Sequence, residues 1–556
     1  MYRARKSTPL GDRQLHWMPL TLVLVVACLA AFPAAATTCE GLTGLALPNN
    51  SSVTSATSIV PPFTTPVGIF GGATISVPFC RVIGVSMPTS DSHITFEVWL
   101  PPTATWNRRL EGIGDGGYTG TINYPAMAVG LARNYAVANN DLGHTGSTGI
   151  FALGHPEKIA DWGNRGDHVT AVAAKAIVAA YYNANPTHSY FTGCSNGGHE
   201  ALMEAQRYPE DYEGFVAGAS ANYWTHQSTA WVWEEERSGL DNLASIVPPS
   251  KLPMVAQAAV AACDALDGVV DGLINDPRQC DFDPATLLCQ AGDALTCLTA
   301  PQVQAIKEVY QGPVNPRTGQ QLYPGLERGG EYGWPGDPGS LGRDFFKDFL
   351  FQNPNWDYHA LDFDHDIALA DAEMSPVIDS INPDLSAFRD RGGKLIMYHG
   401  WNDPRVNPRN SINYFNEVAY LIAGAHGRKL GDLEYGNAVR ETQSFLRLFM
   451  APGMGHCGGG PGPNAFGGPF GLAAPEIDPE HDMLSALEQW VERGVAPDQI
   501  IATYYANNVR AQGISMQRPL CPYPEEAVYT GSGNTNDAAN FVCHTPRPPQ
   551  GAGRGY

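Results

Sequence analysis

The sequence predicts an α/β fold: a mainly parallel sheet with helices on both faces, interrupted by one large insertion. Three observations carry this. Short apolar runs alternate with runs of helical period between about residue 94 and residue 222. That alternation stops at about residue 223 and returns near residue 394. A turn of the form G-x-S-x-G, at residues 193–197, joins an expected strand to an expected helix.

The elements follow in order. Ile94 to Leu100 alternates as a strand, and Arg109 to Ile113 is a second strand that leads into Gly114-Asp115-Gly116-Gly117. Tyr135 to Asn139 is a short apolar strand, and Asp167 to Tyr182 carries an Ala/Val/Ile-rich helical pattern. His188 to Thr192 is a strand ending at the Gly193 turn. His199 to Tyr208 reads as helix, and Gly214 to Ala217 as the next strand. Lys394 to Tyr398 and Ser444 to Met450 resume the alternation. Residues 223–385 are rich in Trp, Pro, Gly and Asp and break the pattern. The organisation expected is therefore a leader over 1–36, a first sheet part over 37–222, an inserted lid domain over 223–385, and a second sheet part over 386–556. Ligands of such sheets bind beyond the carboxyl ends of the strands, so an insertion emerging there would cover the site.

The 556 residues are 43% hydrophobic and only 16% charged, enough apolar matter for a full core, which excludes disordered and fibrous classes. The 60 glycines and 44 prolines point to long ordered loops. A formal net charge of −22 repels phosphates and argues against nucleic-acid binding.

A basic start (Arg3, Arg5, Lys6, Arg13), an apolar run from Leu20 to Ala31 and the small residues Ala34-Ala35-Ala36 read as a signal peptide cleaved near Ala36. The run is too short for a membrane span. Val25-Val26-Ala27-Cys28 also resembles a lipoprotein cleavage box, but the apolar run continues past Cys28, so a lipid anchor is the lesser expectation. Beyond the leader stand ten cysteines: Cys39, Cys80, Cys194, Cys263, Cys280, Cys289, Cys297, Cys457, Cys521 and Cys543. An even number in an exported chain reads as disulfides, and no C-x-x-C pair suggests a zinc ribbon or a thioredoxin-like site.

The chemistry starts at Ser195. A serine that is to attack must sit on a sharp strand-to-helix turn. Glycines two residues to either side relieve the crowding there, and the helix N-terminus favours a developing oxyanion. The hydroxyl needs a base, and the base an orienting acid, in the chain order Ser, acid, His. His456 lies in Met450-Ala451-Pro452-Gly453-Met454-Gly455-His456-Cys457, a loop leaving a strand, and is the expected base. Asp403, in Met397-Tyr398-His399-Gly400-Trp401-Asn402-Asp403-Pro404, is the expected acid. Its competitors Asp362, Asp364 and Asp366 lie in the insertion. Backbone N–H groups of Asn196 and of Gly116 or Gly117 are the expected oxyanion donors. Cys194 precedes Ser195 and Cys457 follows His456. If serine and histidine meet, those neighbours come within disulfide reach.

These residues resemble the tannase and feruloyl esterase family of secreted serine esterases. The resemblance rests on paired Cys194-Ser195 and His456-Cys457, on the His399-Gly400-Trp401-x-Asp403 stretch, and on Asn353-Pro354-Asn355-Trp356. It spans about Cys39 to Cys543 and implies an α/β-hydrolase fold. It also implies the pairings Cys39–Cys80, Cys194–Cys457, Cys263–Cys280, Cys289–Cys297 and Cys521–Cys543. Asp264, Asp267 and Asp271, with Gly268 and Gly272 following the last two, supply oxygen donors suited to a hard cation. The resemblance implies structural Ca²⁺ on these three side chains and on the backbone oxygens of Val269 and Leu273, away from the expected triad. The alternative is an acidic surface turn.

The function expected is therefore hydrolysis of aromatic, hydroxycinnamic or phenolic esters of small molecules or plant polymer through an acyl-enzyme. Alternatives are gallate esters, terephthalate monoesters and, in another class, an inactive secreted binding protein. Trp224, Trp231, Trp233, Trp334, Trp356, Phe345, Phe346, Phe349, Phe351 and Phe363 would form either an aromatic pocket or the insertion's own core. Arg343 would pair with a substrate carboxylate or, more simply, with a protein acid. Oligomeric state is not legible.

Overall fold

The computed structural model describes residues 37–238, 244–334, 340–424 and 430–545; the expected leader over 1–36, including Cys28, lies outside them. The main sheet has ten strands: β1 (Ala46–Leu47), β2 (Ser51–Ile59), β3 (Phe79–Ser86), β4 (Ile94–Leu100), β5 (Arg109–Ile113), β6 (Ala136–Asn140), β7 (His188–Cys194), β8 (Gly214–Gly218), β9 (Lys394–Gly400) and β10 (Leu446–Ala451). Their spatial order is β1-β2-β3-β4-β6-β5-β7-β8-β9-β10.

From β6 to β10 every pairing is parallel. From β1 to β4, and between β4 and β6, the pairings are antiparallel. The parallel half matches the expectation. The antiparallel flank has no clear signal in the sequence, because β2 reads Ser-Ser-Val-Thr-Ser-Ala-Thr-Ser-Ile and buries little but Val53 and Ala56 among its apolar residues. The next two strands, β3 and β4, are joined by only residues 87–93, too few for a parallel crossover.

Alternation along each strand sends side chains to two cores. On one face Val137, Tyr190, Val216, Ile396 and Tyr398 pack with α1 (Tyr124–Ala132) and with Leu484, Leu487 and Trp490. On the other, Phe191, Phe215, Leu395 and Met397 pack against Ala201 and Leu202 of α3 (Asn196–Arg207). Further along that face, Val98, Leu110 and Ala136 meet Ala173 and Ile177 of α2 (Gly166–Tyr182). The sheet is thus covered on both sides, as an α/β-hydrolase sheet requires.

Among the described residues, no element from Trp224 to Ile378 joins this sheet. That stretch holds α4 (Trp224–Ser238), α5 (Leu252–Cys263) and α6 (Ala300–Gln311). Five disulfides link Cys39–Cys80, Cys194–Cys457, Cys263–Cys280, Cys289–Cys297 and Cys521–Cys543. Among the described residues no helix is long and apolar enough to cross a membrane.

Candidate active site

Ser195 follows the last residue of β7 and directly precedes α3. Its backbone is held at φ 66°, ψ −120°, a region that non-glycine residues avoid and that functional turns retain. The packing that enforces it is glycine-dependent. A Cβ on Gly193 would lie 2.2 Å from the Gly197 carbonyl oxygen, and one on Gly197 would lie 2.9 Å from the Asp115 carbonyl oxygen. The Ser195 N–H donates to Gly218 O at 2.9 Å, which pins the turn to β8.

Three loops at the carboxyl ends of β7, β9 and β10 bring the expected residues together. Ser195 Oγ lies 2.9 Å from His456 Nε2, and His456 Nδ1 lies 2.7 Å from Asp403 Oδ2. With Nδ1–H donating to the carboxylate, Nε2 is left as the acceptor facing the serine hydroxyl. Cys457 has a φ of 60° and is bonded to Cys194, with Cα atoms 6.0 Å apart. The residues next to His456 and Ser195 are thus covalently joined.

Asp403 is 2% exposed. Its Oδ1 accepts the backbone N–H groups of Arg405 at 2.8 Å and Val406 at 3.0 Å. Its Oδ2 accepts from His456 and stands 3.1 Å from His399 Nε2. Burial pushes this carboxyl upward, but the charge of His456 and the hydrogen bonds from His399 and His456 outweigh it and hold the group well below the usual carboxylate range. His399, whose place in the motif gives it no role by sequence alone, is a further member of this network. It is fully buried and faces two acceptors, Asp403 Oδ2 and Val406 O, through Nε2, while Nδ1 meets Ser411 Oγ at 2.8 Å. Its Nε2 therefore carries a proton.

Asn196 is the first residue of α3, so its backbone N–H is one of the unpaired donors of a helix start. The N–H groups of Gly116 and Gly117 meet no acceptor among the described residues, and Gly117 has a φ of 56°. The Phe70 ring lies 3.4 Å from where a Gly116 Cβ would stand, and stacks on Phe470 with centroids 5.3 Å apart.

The aromatic residues of 223–385 are mainly core. Trp224, Trp231, Trp233, Phe345, Phe346, Phe349 and Phe363 are buried in one cluster, with Phe351 and Trp356 partly buried at its edge. Trp334 belongs to a separate cluster. Arg343 is ion-paired with buried Glu235.

In the acidic loop, the Asp264 carboxylate accepts the N–H groups of Asp271 and Gly272, both at 3.1 Å. Asp267 accepts from Val269 N at 2.9 Å, and Asp271 accepts from Leu273 N at 3.1 Å and pairs with Arg518. Burial, with the neighbouring carboxylates adding to it, pushes Asp267 and Asp271 upward, although Arg518 opposes this. The backbone oxygens of Val269 and Leu273 accept no hydrogen bond among the described residues. All donors are oxygen, which suits a hard cation. The three carboxylates are nevertheless not drawn into one tight cluster. Among the described residues only Glu476, Asp478 and His481 bring three ligand atoms within 4.8 Å of one another. The loop is also not remote from the site: a Cβ on Gly453, three residues before His456, would meet the Leu273 side chain at 2.6 Å.

Residues 80–544 match the family described as tannase and feruloyl esterase. An uncharacterized esterase from Xanthomonas campestris pv. campestris is 41% identical over 549 residues, 94% of each chain. A probable feruloyl esterase B-2 from Aspergillus terreus is 31% identical, covering 90% of each. The crystal structure of feruloyl esterase B from Aspergillus oryzae superposes with a TM-score of 0.81 at 29% identity, covering 91% of this chain and 99% of that one. With the α/β-hydrolase sheet and a match of this extent, the chain belongs to the tannase and feruloyl esterase family and is an esterase.

Proposed function

We propose that this esterase hydrolyses aromatic esters of the hydroxycinnamic or phenolic type through a Ser195–His456–Asp403 triad. The observation that carries the mechanism is the unbroken hydrogen-bond chain from Ser195 Oγ through His456 to a buried, charged Asp403. Ser195 Oγ attacks the ester carbonyl carbon while its proton passes to His456 Nε2. The oxyanion is held by the N–H of Asn196 and by the Gly116-Gly117 turn. Collapse breaks the bond to the alcohol oxygen, which takes the proton from Nε2. Water then attacks the acyl-enzyme, His456 again takes the proton, and the carboxylic acid leaves with Ser195 restored. Asp403 keeps the imidazole in the required tautomer and stabilises its cation.

The aromatic acyl preference rests on the relatives named feruloyl esterase. Residues 223–385 act as the lid that shapes the pocket. Export through the 1–36 leader agrees with five disulfides, which persist in oxidising compartments. Ca²⁺, where bound, would be held by Asp264, Asp267 and Asp271 with the oxygens of Val269 and Leu273, and would neutralise like charge there without taking part in ester cleavage.

Fluorophosphonate labelling with peptide mapping tests the mechanism: one adduct on Ser195, absent in Ser195→Ala together with turnover. A folded protein that takes no label would instead be a binding protein. Rates on methyl ferulate, methyl gallate and a terephthalate monoester decide the acyl class, with methyl ferulate expected fastest. Calcium is tested by the unfolding midpoint: removal by a chelator lowers it in the native chain and leaves it unmoved in Asp264→Asn/Asp267→Asn.

A further inference from the structure

The two segments that hold the oxyanion donors, the start of α3 and the Gly114–Gly117 turn, come from different strand ends. A single buried side chain touches both. Glu200 lies one helical turn after Asn196 and is 2% exposed. Its Oε1 accepts the Asn196 side-chain Nδ2–H at 2.7 Å, and its Oε2 accepts the Asp115 backbone N–H at 2.9 Å. The clamp is completed from the other direction, where Gly197 N–H donates to Asp115 O at 2.7 Å. Both polar groups of the Asp115 peptide unit are therefore tied to α3, immediately before Gly116. The approach leaves no slack: a Cβ on Gly114 would stand 2.9 Å from Glu200 Oε2 and 2.7 Å from Gly197 Cα.

From this geometry we infer that Glu200 is a positioning residue for the oxyanion hole, holding the Gly116-Gly117 turn and Asn196 at the spacing the tetrahedral intermediate needs. The inference rests on the proposed serine mechanism. Glu200 touches neither substrate nor the reacting atoms. It acts through the backbone it clamps, so its loss lowers kcat and spares KM. Burial, with the charges of Asp167 and Asp115, pushes its carboxyl well above the ordinary range. A neutral amide of the same length keeps its oxygen on the Asp115 N–H and donates to Asn196 Oδ1 once the Asn196 amide turns over, since that oxygen is buried without a partner.

The test compares Glu200→Gln, Glu200→Leu and Glu200→Asp, each assayed for kcat, KM and unfolding midpoint on methyl ferulate and on p-nitrophenyl acetate. Glu200→Gln is expected to keep kcat within about 3-fold. Glu200→Leu is expected to lose about 10²-fold in kcat, the scale of one misplaced oxyanion donor, with KM within about 2-fold. Glu200→Asp keeps the polarity but cannot reach both partners. It is expected to lose about 10-fold while staying folded, and so carries the test if the leucine variant does not fold. Native kcat in the folded aspartate or leucine variant overturns the inference, as does an equal loss in Glu200→Gln. Labelling of Ser195 in the native enzyme separates these outcomes from failure of the serine mechanism, in which Ser195→Ala retains turnover and the native protein takes no label.

Discussion

Two buried carboxylates belong to the hydrogen-bond networks on either side of the Ser195 turn, and their surroundings drive them in opposite directions. Asp403 and Glu200 are each 2% exposed. Asp403 collects two backbone N–H groups and two imidazoles and stays charged. Glu200 meets one backbone N–H and one side-chain amide, with Asp115 and Asp167 as acidic neighbours, and is driven toward its neutral form. Burial is common to both. The number of donors and the sign of the neighbouring charge decide the outcome. In the proposed mechanism one region holds a charge for the imidazolium that forms in each catalytic step. The other holds a shape.

The largest effect expected on this contrast comes from Asp403→Asn, which removes the charge and leaves the volume. kcat should fall about 10⁴-fold, measured by steady-state hydrolysis at neutral pH, and a loss below about 10-fold would break the assignment. Next is the covalent brace. Cys194→Ser/Cys457→Ser asks whether hydrogen bonds alone keep His456 in place. A stability loss of about 2–5 kcal/mol is expected in denaturant titration, with turnover reduced less than in Asp403→Asn.

A smaller effect follows from the carboxyls that burial drives upward. Glu111 and Glu331 are pushed up to about 7, Asp379 to about 6 and Glu234 to about 8. A group raised in the folded state keeps its proton where the unfolded chain has lost it, so stability falls as pH rises through these values. Asp403, depressed by folding, works the other way: its contribution is present above the unfolded value and is lost only as pH falls toward its own low value. Calorimetry should therefore give a midpoint at pH 5 higher than at pH 8 by about 2–4 °C or more. The smallest effect is Glu111→Gln, on β5 and bonded to Thr192 Oγ1. It should leave kcat unchanged and flatten that pH dependence.

Ser195, His456 and Asp403 were legible because each sits in a short motif at a strand end, where the backbone alone almost fixes its place. Glu200 was not. In His199-Glu200-Ala201-Leu202-Met203-Glu204 it reads as an ordinary helix carboxylate turned to water, whereas the helix is buried along this stretch and the Gly114 turn packs directly on the Glu200 carboxyl. His399 was visible as part of a motif, but its contact with Asp403 depends on how the chain turns back after β9. The antiparallel flank escaped for a different reason. Ser-rich β2 carries too little apolar periodicity to announce a strand, and pairing with β3 over residues 51–86 supplies what propensity does not. The acidic loop's proximity to the His456 loop, through Leu273 and Gly453, is likewise a tertiary fact with no local signature.

The Cys194–Cys457 bond spans 263 residues and so closes the chain into a covalent ring. The whole of 223–385 lies on that ring, and the Cys263–Cys280 and Cys289–Cys297 bonds are smaller rings within it. A protease that cuts once between those smaller rings opens the large ring into a line and releases nothing. Ser195 and His456 stay tethered through the sulfur bridge, on fragments that part only when it is reduced. A chain built this way can be nicked between the smaller rings and still carry Ser195 and His456 as one molecule.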